Sequence, residues 1–169
     1  MQIISPDKVF RGKNAWKESL PEIVKITKSP LLLGRSPMTR SLRSIISFDL
    51  SQLKLKVYET ELEFDCCEDD LTRINNLAVK HKCDSIITAG GGKVLDAGKL
   101  LAEYLSVPCI TVPLSASTCA GWTALANIYT TEGKFVKDIN LKSCPKILVC
   151  DHSFINSAPK NTLSSGIAD

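Results

Sequence analysis

The sequence predicts an α/β fold: a doubly wound, mostly parallel sheet with helices on both faces, plus one small β-hairpin. Three observations carry the prediction. Short β-branched runs alternate with helical stretches along most of the 169 residues, the pattern of strands joined by crossover helices. Between residues 84 and 112 a strand, a glycine turn, a helix and a strand follow in order, and that crossover is long enough for parallel strands. Hydrophobic residues make up 44% and charged residues 23%, so a chain of this length can bury a core without disulfide or metal staples.

Residues 14–27 read as a helix with Trp16, Leu20, Ile23 and Val24 on one face, at helical spacing. Pro30 to Gly34 is a short apolar strand ending in glycine, and 37–46 reads as a second helix. Lys54 to Glu59 alternates like a strand. Residues 68–82 form a helix whose first turn is acidic (Glu68, Asp69, Asp70) and whose last is basic (Lys80, Lys82), matching the helix dipole. Asp84 to Ala89 is a strand, Gly90-Gly91-Gly92 a turn, 93–105 a helix, and 107–112 the next strand. Residues 128–130 and 134–137 flank Glu132-Gly133 as a hairpin, and Lys146 to Cys150 is a last strand. Pro159 fits the first position of a helix running to Asp169. The domain reading is therefore 1–158 as the α/β unit and 159–169 as the start of a helix leading elsewhere.

Net charge is +3, from 21 Lys+Arg against 18 Asp+Glu, and the basic residues are scattered. That argues against a nucleic-acid surface. No apolar run approaches the roughly 18 residues of a membrane helix, and Met1 to Pro6 is too poor in apolar residues for a signal peptide. The 7 cysteines form no CxxC pair, against zinc ribbons and thioredoxin chemistry. Cys109 and Cys150 fall in strands, as small apolar residues do in a reducing cytoplasm. His81 ends a helix and His152 sits in a turn, and neither has a metal partner by spacing. Trp16 and Trp122 read as packing or interface groups rather than stacking platforms.

The chemistry concentrates around Gly90-Gly91-Gly92-Lys93. Glycines between a strand and a helix let the backbone approach a ligand, and the free N–H groups of the helix start suit a phosphate. The alternative is a tight turn and nothing more. The run is no P-loop, since Val94 follows Lys93 where Ser or Thr is needed, and it lacks the third glycine of GxGxxG. Asp96 and Lys99, three apart, are neighbours on the helix: either a surface ion pair or the polar rim of a ligand site. Ser115, Ser117 and Thr118 follow a strand end, where an open α/β sheet binds ligands; they equally suit a loop capping its own backbone. Cys119 lies in that loop without a placed base, so an inert thiol is the simpler reading.

Gly90 to Lys99 (GGGKVLDAGK) resembles the glycine-rich motif of the iron-containing (group III) alcohol dehydrogenases, within them the glycerol dehydrogenase branch. Val112 to Thr118, continued by Ala124-Leu125 and Ile128-Tyr129, resembles the branch's next motif, and Ser165 to Asp169 its first metal-ligand segment. The resemblance implies a Rossmann-like dinucleotide domain followed by a helical domain, and NAD- or NADP-linked oxidation of a small polyol or alcohol. It implies that Gly91, Gly92 and Lys93 cradle the pyrophosphate, that Gly90 also belongs to the cofactor site, and that Asp96 lies near the phosphates or nicotinamide. Leu114, Ser117, Thr123, Leu125 and Tyr129 would line the dinucleotide site, and Asp169 would be a metal ligand. A zinc or iron ion would be held only together with two histidines of the helical domain, so residues 1–169 alone are expected to be inert. Oligomerisation stays open.

The sequence departs from the branch at three other places. Cys119 stands where a substrate-contacting aspartate is expected. Arg35 stands where an acidic residue binds the adenosine ribose, which opens NADP. Gly98 stands where alanine is more usual, read as a minor change. A sugar-phosphate cyclase of the dehydroquinate synthase kind, a glycerol-1-phosphate dehydrogenase (which carries His-Asp where this chain has Thr118-Cys119) and a non-catalytic nucleotide-binding relic are the competing readings.

Overall fold

A computed structural model describes residues 5–158. Six strands form one sheet in the order β1-β8-β5-β4-β2-β3, and every neighbouring pair is parallel. They are β1 (Lys8–Gly12), β2 (Pro30–Gly34), β3 (Tyr58–Glu61), β4 (Ser85–Gly90), β5 (Cys109–Pro113) and β8 (Ile147–Asp151). An antiparallel hairpin, β6 (Leu125–Tyr129) and β7 (Phe135–Asn140), stands apart. The helices are α1 (Ala15–Ile26), α2 (Arg40–Gln52), α3 (Glu68–His81), α4 (Gly92–Leu105) and α5 (His152–Asn156). None is long and apolar enough to cross a membrane.

The period of two in the central strands builds two cores. Leu31, Leu33 and Ile86 face α3, α4 and the hairpin, and pack on Leu71, Ile74, Leu100 and Leu101. Leu32, Ile87, Ala89, Ile110 and Val112 face the other way, against α1, α2 and α5, where Trp16, Ile23, Ile46 and Leu50 are buried. Central strands covered on both sides read as continuous apolar runs, and β2, β4 and β5 are buried at every position.

Several element ends differ from the sequence reading. β1 was not expected, because its five residues are mostly exposed and only its ladder to β8 defines it. The second helix begins with a 3₁₀ turn at Pro37–Thr39, capped by the Ser36 hydroxyl, and runs on to Gln52 rather than 46. Lys54 takes a positive φ of 63°, which turns the chain and delays the strand to Tyr58. The hairpin strands reach further than expected away from the turn, to Leu125 and Asn140, and stop one residue short of it, at Tyr129 and Phe135. His152 opens a short helix, because the Asp151 carboxylate caps it at the Ser153 N–H, 2.8 Å away. The other oxygen of Asp151 accepts the Trp16 N–H at 2.9 Å, so one buried carboxylate pins two helix starts to the end of β8. The Trp16 indole donates to Asp49. The helix expected from Pro159 to Asp169, and Asp169 itself, lie outside the described residues.

Candidate functional site

The carboxyl ends of β2, β4 and β5 converge on the start of α4. Gly90 closes β4, and its carbonyl accepts the Leu114 N–H at 3.0 Å. Gly91 is the N-cap of α4, and no side chain caps the helix. Its first N–H groups are therefore left for a ligand. A Cβ built on Gly91 would find only the Ser115 hydroxyl, 3.8 Å away, so the space above the helix start is open.

Two cavities flank that start. The inner one, about 390 Å³, is lined by Gly92, Lys93, Asp96, Ser117, Cys119, Thr123, Leu125, Asn127 and Tyr129 among others. The outer one, about 250 Å³, lies between Gly90–Val94 and the turn carrying Arg35, Ser36 and Thr39. Gly92 and Lys93 belong to both. The structure thus brings together all the sequence-read site residues it describes except Leu114. The Leu114 side chain is buried in the core on the other face of the sheet, and only its backbone reaches the turn.

Lys93 is held in place. Its ammonium meets the Asp65 carboxylate at 2.5 Å and stands 4.3 Å from the centre of the Tyr129 ring. Arg35 approaches the same Asp65 oxygen at 3.7 Å. Below it, the buried Arg43 guanidinium bonds the Ser36 carbonyl, the Thr39 hydroxyl and Glu61, which fixes the turn that carries Arg35.

Asp96 and Lys99 are not a surface pair. Both are buried, 2.9 Å apart, and Asp96 lines the inner cavity. Asp96 accepts the Asn127 N–H at 3.1 Å, and Lys99 donates to the carbonyls of Ala120, Thr123 and Leu125. This pair suspends the 120–127 segment over α4. Burial pushes the Asp96 carboxyl up, against the opposing pull of Lys99 and the Asn127 N–H.

The serine-rich loop bonds within itself and also lines a cavity. The Ser115 and Ser117 hydroxyls bond each other at 2.9 Å, and Thr118 caps the Ala120 N–H, while Ser117 and Thr118 also wall the inner cavity. Cys119 is exposed on that wall. Cys66 and Cys109 are inert packing groups: burial raises both thiols, Cys109 to about 12. Asp65, Asn127, Ser36 and Thr39 were missed. Asn127 and Thr39 carry no spacing signal, and Asp65 shows only as an acidic residue before Cys66-Cys67.

A parallel sheet wound on both faces, with an open glycine-led helix start at the carboxyl ends of its central strands, defines a Rossmann-like α/β domain. The chain belongs to the iron-containing alcohol dehydrogenase family, whose model matches residues 6–152. An uncharacterized oxidoreductase of Synechocystis sp. is 44% identical over 105 residues, covering 62% of this chain and 27% of that protein. Glycerol dehydrogenase 1 of Schizosaccharomyces pombe is 33% identical over 168 residues, covering 98% of this chain and 37% of that one. Among solved structures, a probable glycerol dehydrogenase from Sinorhizobium meliloti 1021 superimposes with a TM-score of 0.89 at 25% identity, covering 99% of this chain and 45% of that chain. The chain thus spans less than half the length of these relatives.

Proposed function

We propose that the described residues are the dinucleotide-binding part of an NAD(P)-linked dehydrogenase acting on a small polyol or alcohol. The observation that carries this is the pair of cavities meeting across the uncapped start of α4. A dinucleotide has two arms joined by a pyrophosphate, and the geometry offers two chambers joined by a phosphate-type cradle. Gly91, Gly92 and Lys93 hold the pyrophosphate. The inner cavity, with Ser117, Thr123, Leu125 and Tyr129, takes the nicotinamide arm, and the outer one takes the adenosine arm. The nicotinamide supplies the hydride acceptor when bound. Cys119, on the inner wall, faces the substrate side; it carries no negative charge with which to orient a polyol, which favours a substrate other than glycerol.

The family's metal finds no ligand set here. Among the described residues no three His, Cys, Asp or Glu side chains could share an ion, and Asp169 lies outside them. We expect residues 1–169 to bind nucleotide and not to turn over.

The test is a titration of the 169-residue chain with NADH and with NADPH, followed by energy transfer from tryptophan or by calorimetry. Binding of either at micromolar concentration supports the reading; a folded chain that binds neither overturns it. No carboxylate lines the outer cavity to accept ribose hydroxyls, and Arg35 brings a cation to it. NADPH is therefore expected to bind more tightly than NADH. Arg35→Asp should reverse the order, changing the ratio of the two affinities by about 100-fold, or about 1.4 kcal/mol for each factor of ten. An unchanged ratio would make Arg35 a surface residue.

A further inference from the structure

We infer that Asp65 is a positioning residue of the phosphate cradle, acting through Lys93 and Arg35; this rests on the dinucleotide reading of the cleft. Asp65 lies between β3 and α3, is 2% exposed and forms no part of either cavity wall. Its Oδ1 accepts the Cys66 N–H at 2.8 Å, which orients the carboxylate. Its Oδ2 meets both Lys93 and Arg35. One buried oxygen therefore faces the cation of the outer cavity and the cation shared by both.

A lysine ammonium has three hydrogens to place. At Lys93 one goes to Asp65, and the Tyr129 ring covers a second side. The hairpin turn passes nearby at Gly133, where φ is +81° and a Cβ would come into ordinary contact with Asp65 Oδ2 at 3.5 Å and Lys93 Nζ at 3.7 Å. The direction left open is toward the cavities, where the side chain is 38% exposed. A free lysine loses much rotamer freedom on capturing a phosphate; at Lys93 the Asp65 and Tyr129 contacts already restrict it. One carboxylate between two cations still leaves the cradle net positive, so it attracts a phosphate while holding both cations in place.

Asp65→Asn tests this, because the amide still accepts the Cys66 N–H while the charge is lost. The probes are NADH, NADPH and ADP, titrated calorimetrically into the 169-residue chain. Asp65→Asn is expected to weaken all three about tenfold with an unchanged circular dichroism spectrum, and in a Lys93→Met/Arg35→Ala background to change them less than about twofold. A role in folding alone would cost the same in both backgrounds. Should Asp65→Asn not fold, Asp65→Glu runs the same cycle: it keeps the charge one methylene away and should weaken binding only while both cations are present. Affinities equal to or tighter than wild type, or an undiminished loss in the background lacking the cations, overturn the inference. A wild-type chain that binds none of the probes removes the reading of the cleft and this inference with it; a wild-type chain that binds, with a silent substitution, removes the inference alone.

Discussion

Lys99→Met is expected to cost about 3–5 kcal/mol, the loss typical when one member of a buried ion pair is removed and the other left behind. For a domain of this size that is a fall of roughly 6–20 °C in melting temperature. The size follows from what Lys99 touches. It neutralises Asp96 and satisfies the carbonyls of Ala120, Thr123 and Leu125 from a buried position. Methionine fills the volume but takes the ammonium from Asp96 and from the three carbonyls, leaving Asp96 only the Asn127 N–H. The pH dependence gives the sign a second check. Burial raises the Asp96 carboxyl in the folded protein, so the native state holds that proton more tightly than the unfolded chain. Stability from that group is present below the unfolded pKa and is lost as pH rises through the folded one. Without Lys99 the folded pKa climbs further. The deficit of Lys99→Met should therefore shrink on acidification, and Asp96→Asn/Lys99→Met should not show that recovery. Thermal melts of the three proteins across pH decide it, and a deficit independent of pH would be against the account. Nucleotide affinity should fall with stability, because the same pair suspends one wall of the inner cavity.

That pair also marks where a sequence stops being readable. The spacing of Asp96 and Lys99 predicts that they meet; their burial depends on the hairpin and the 120–127 segment folding across them, which no local pattern encodes. The β4-turn-α4-β5 unit was legible because central strands are apolar at every position and the glycine run breaks the pattern sharply. β1 was not, because an edge strand with exposed Lys8, Val9 and Arg11 owes its existence to a ladder with residues almost 140 positions later. β3 moved because Lys54 adopts a left-handed turn that lysine propensity does not announce, and Leu55 then enters the core from a loop. In the site, Gly91 and Lys93 could be read from their neighbours. Asp65 could not, since its role comes from two cations brought to it by different elements.

Gly98→Ala is the second large effect expected, and it shows that the glycine at this position is no minor variation. A Cβ on Gly98 would fall 2.4 Å from the Thr88 Cβ. That atom is fixed by the backbone of β4, so no rotamer change relieves the contact. Alanine would gain about 1 kcal/mol of helix propensity over glycine. Overpacking costs about 1–3 kcal/mol, and more where neither side can move. The clash should win, for a net loss of about 2 kcal/mol and a melting temperature lower by roughly 4–8 °C. The relief lies across the interface. Thr88→Gly empties the space that the new methyl needs, at the cost of the Thr88 hydroxyl bond to the Val94 carbonyl, 2.6 Å long. Thr88→Gly/Gly98→Ala should therefore be about as stable as Thr88→Gly alone, a coupling of roughly 2 kcal/mol between residues in contact. The same series reports on the site. α4 carries Gly92 and Lys93 in its first turn, so a helix lifted from β4 by the single substitution should bind nucleotide more weakly, and the pair should restore binding. A Gly98→Ala protein as stable as its parent would show that α4 already has room to move, and the cradle at its start would then be less fixed than its packing implies.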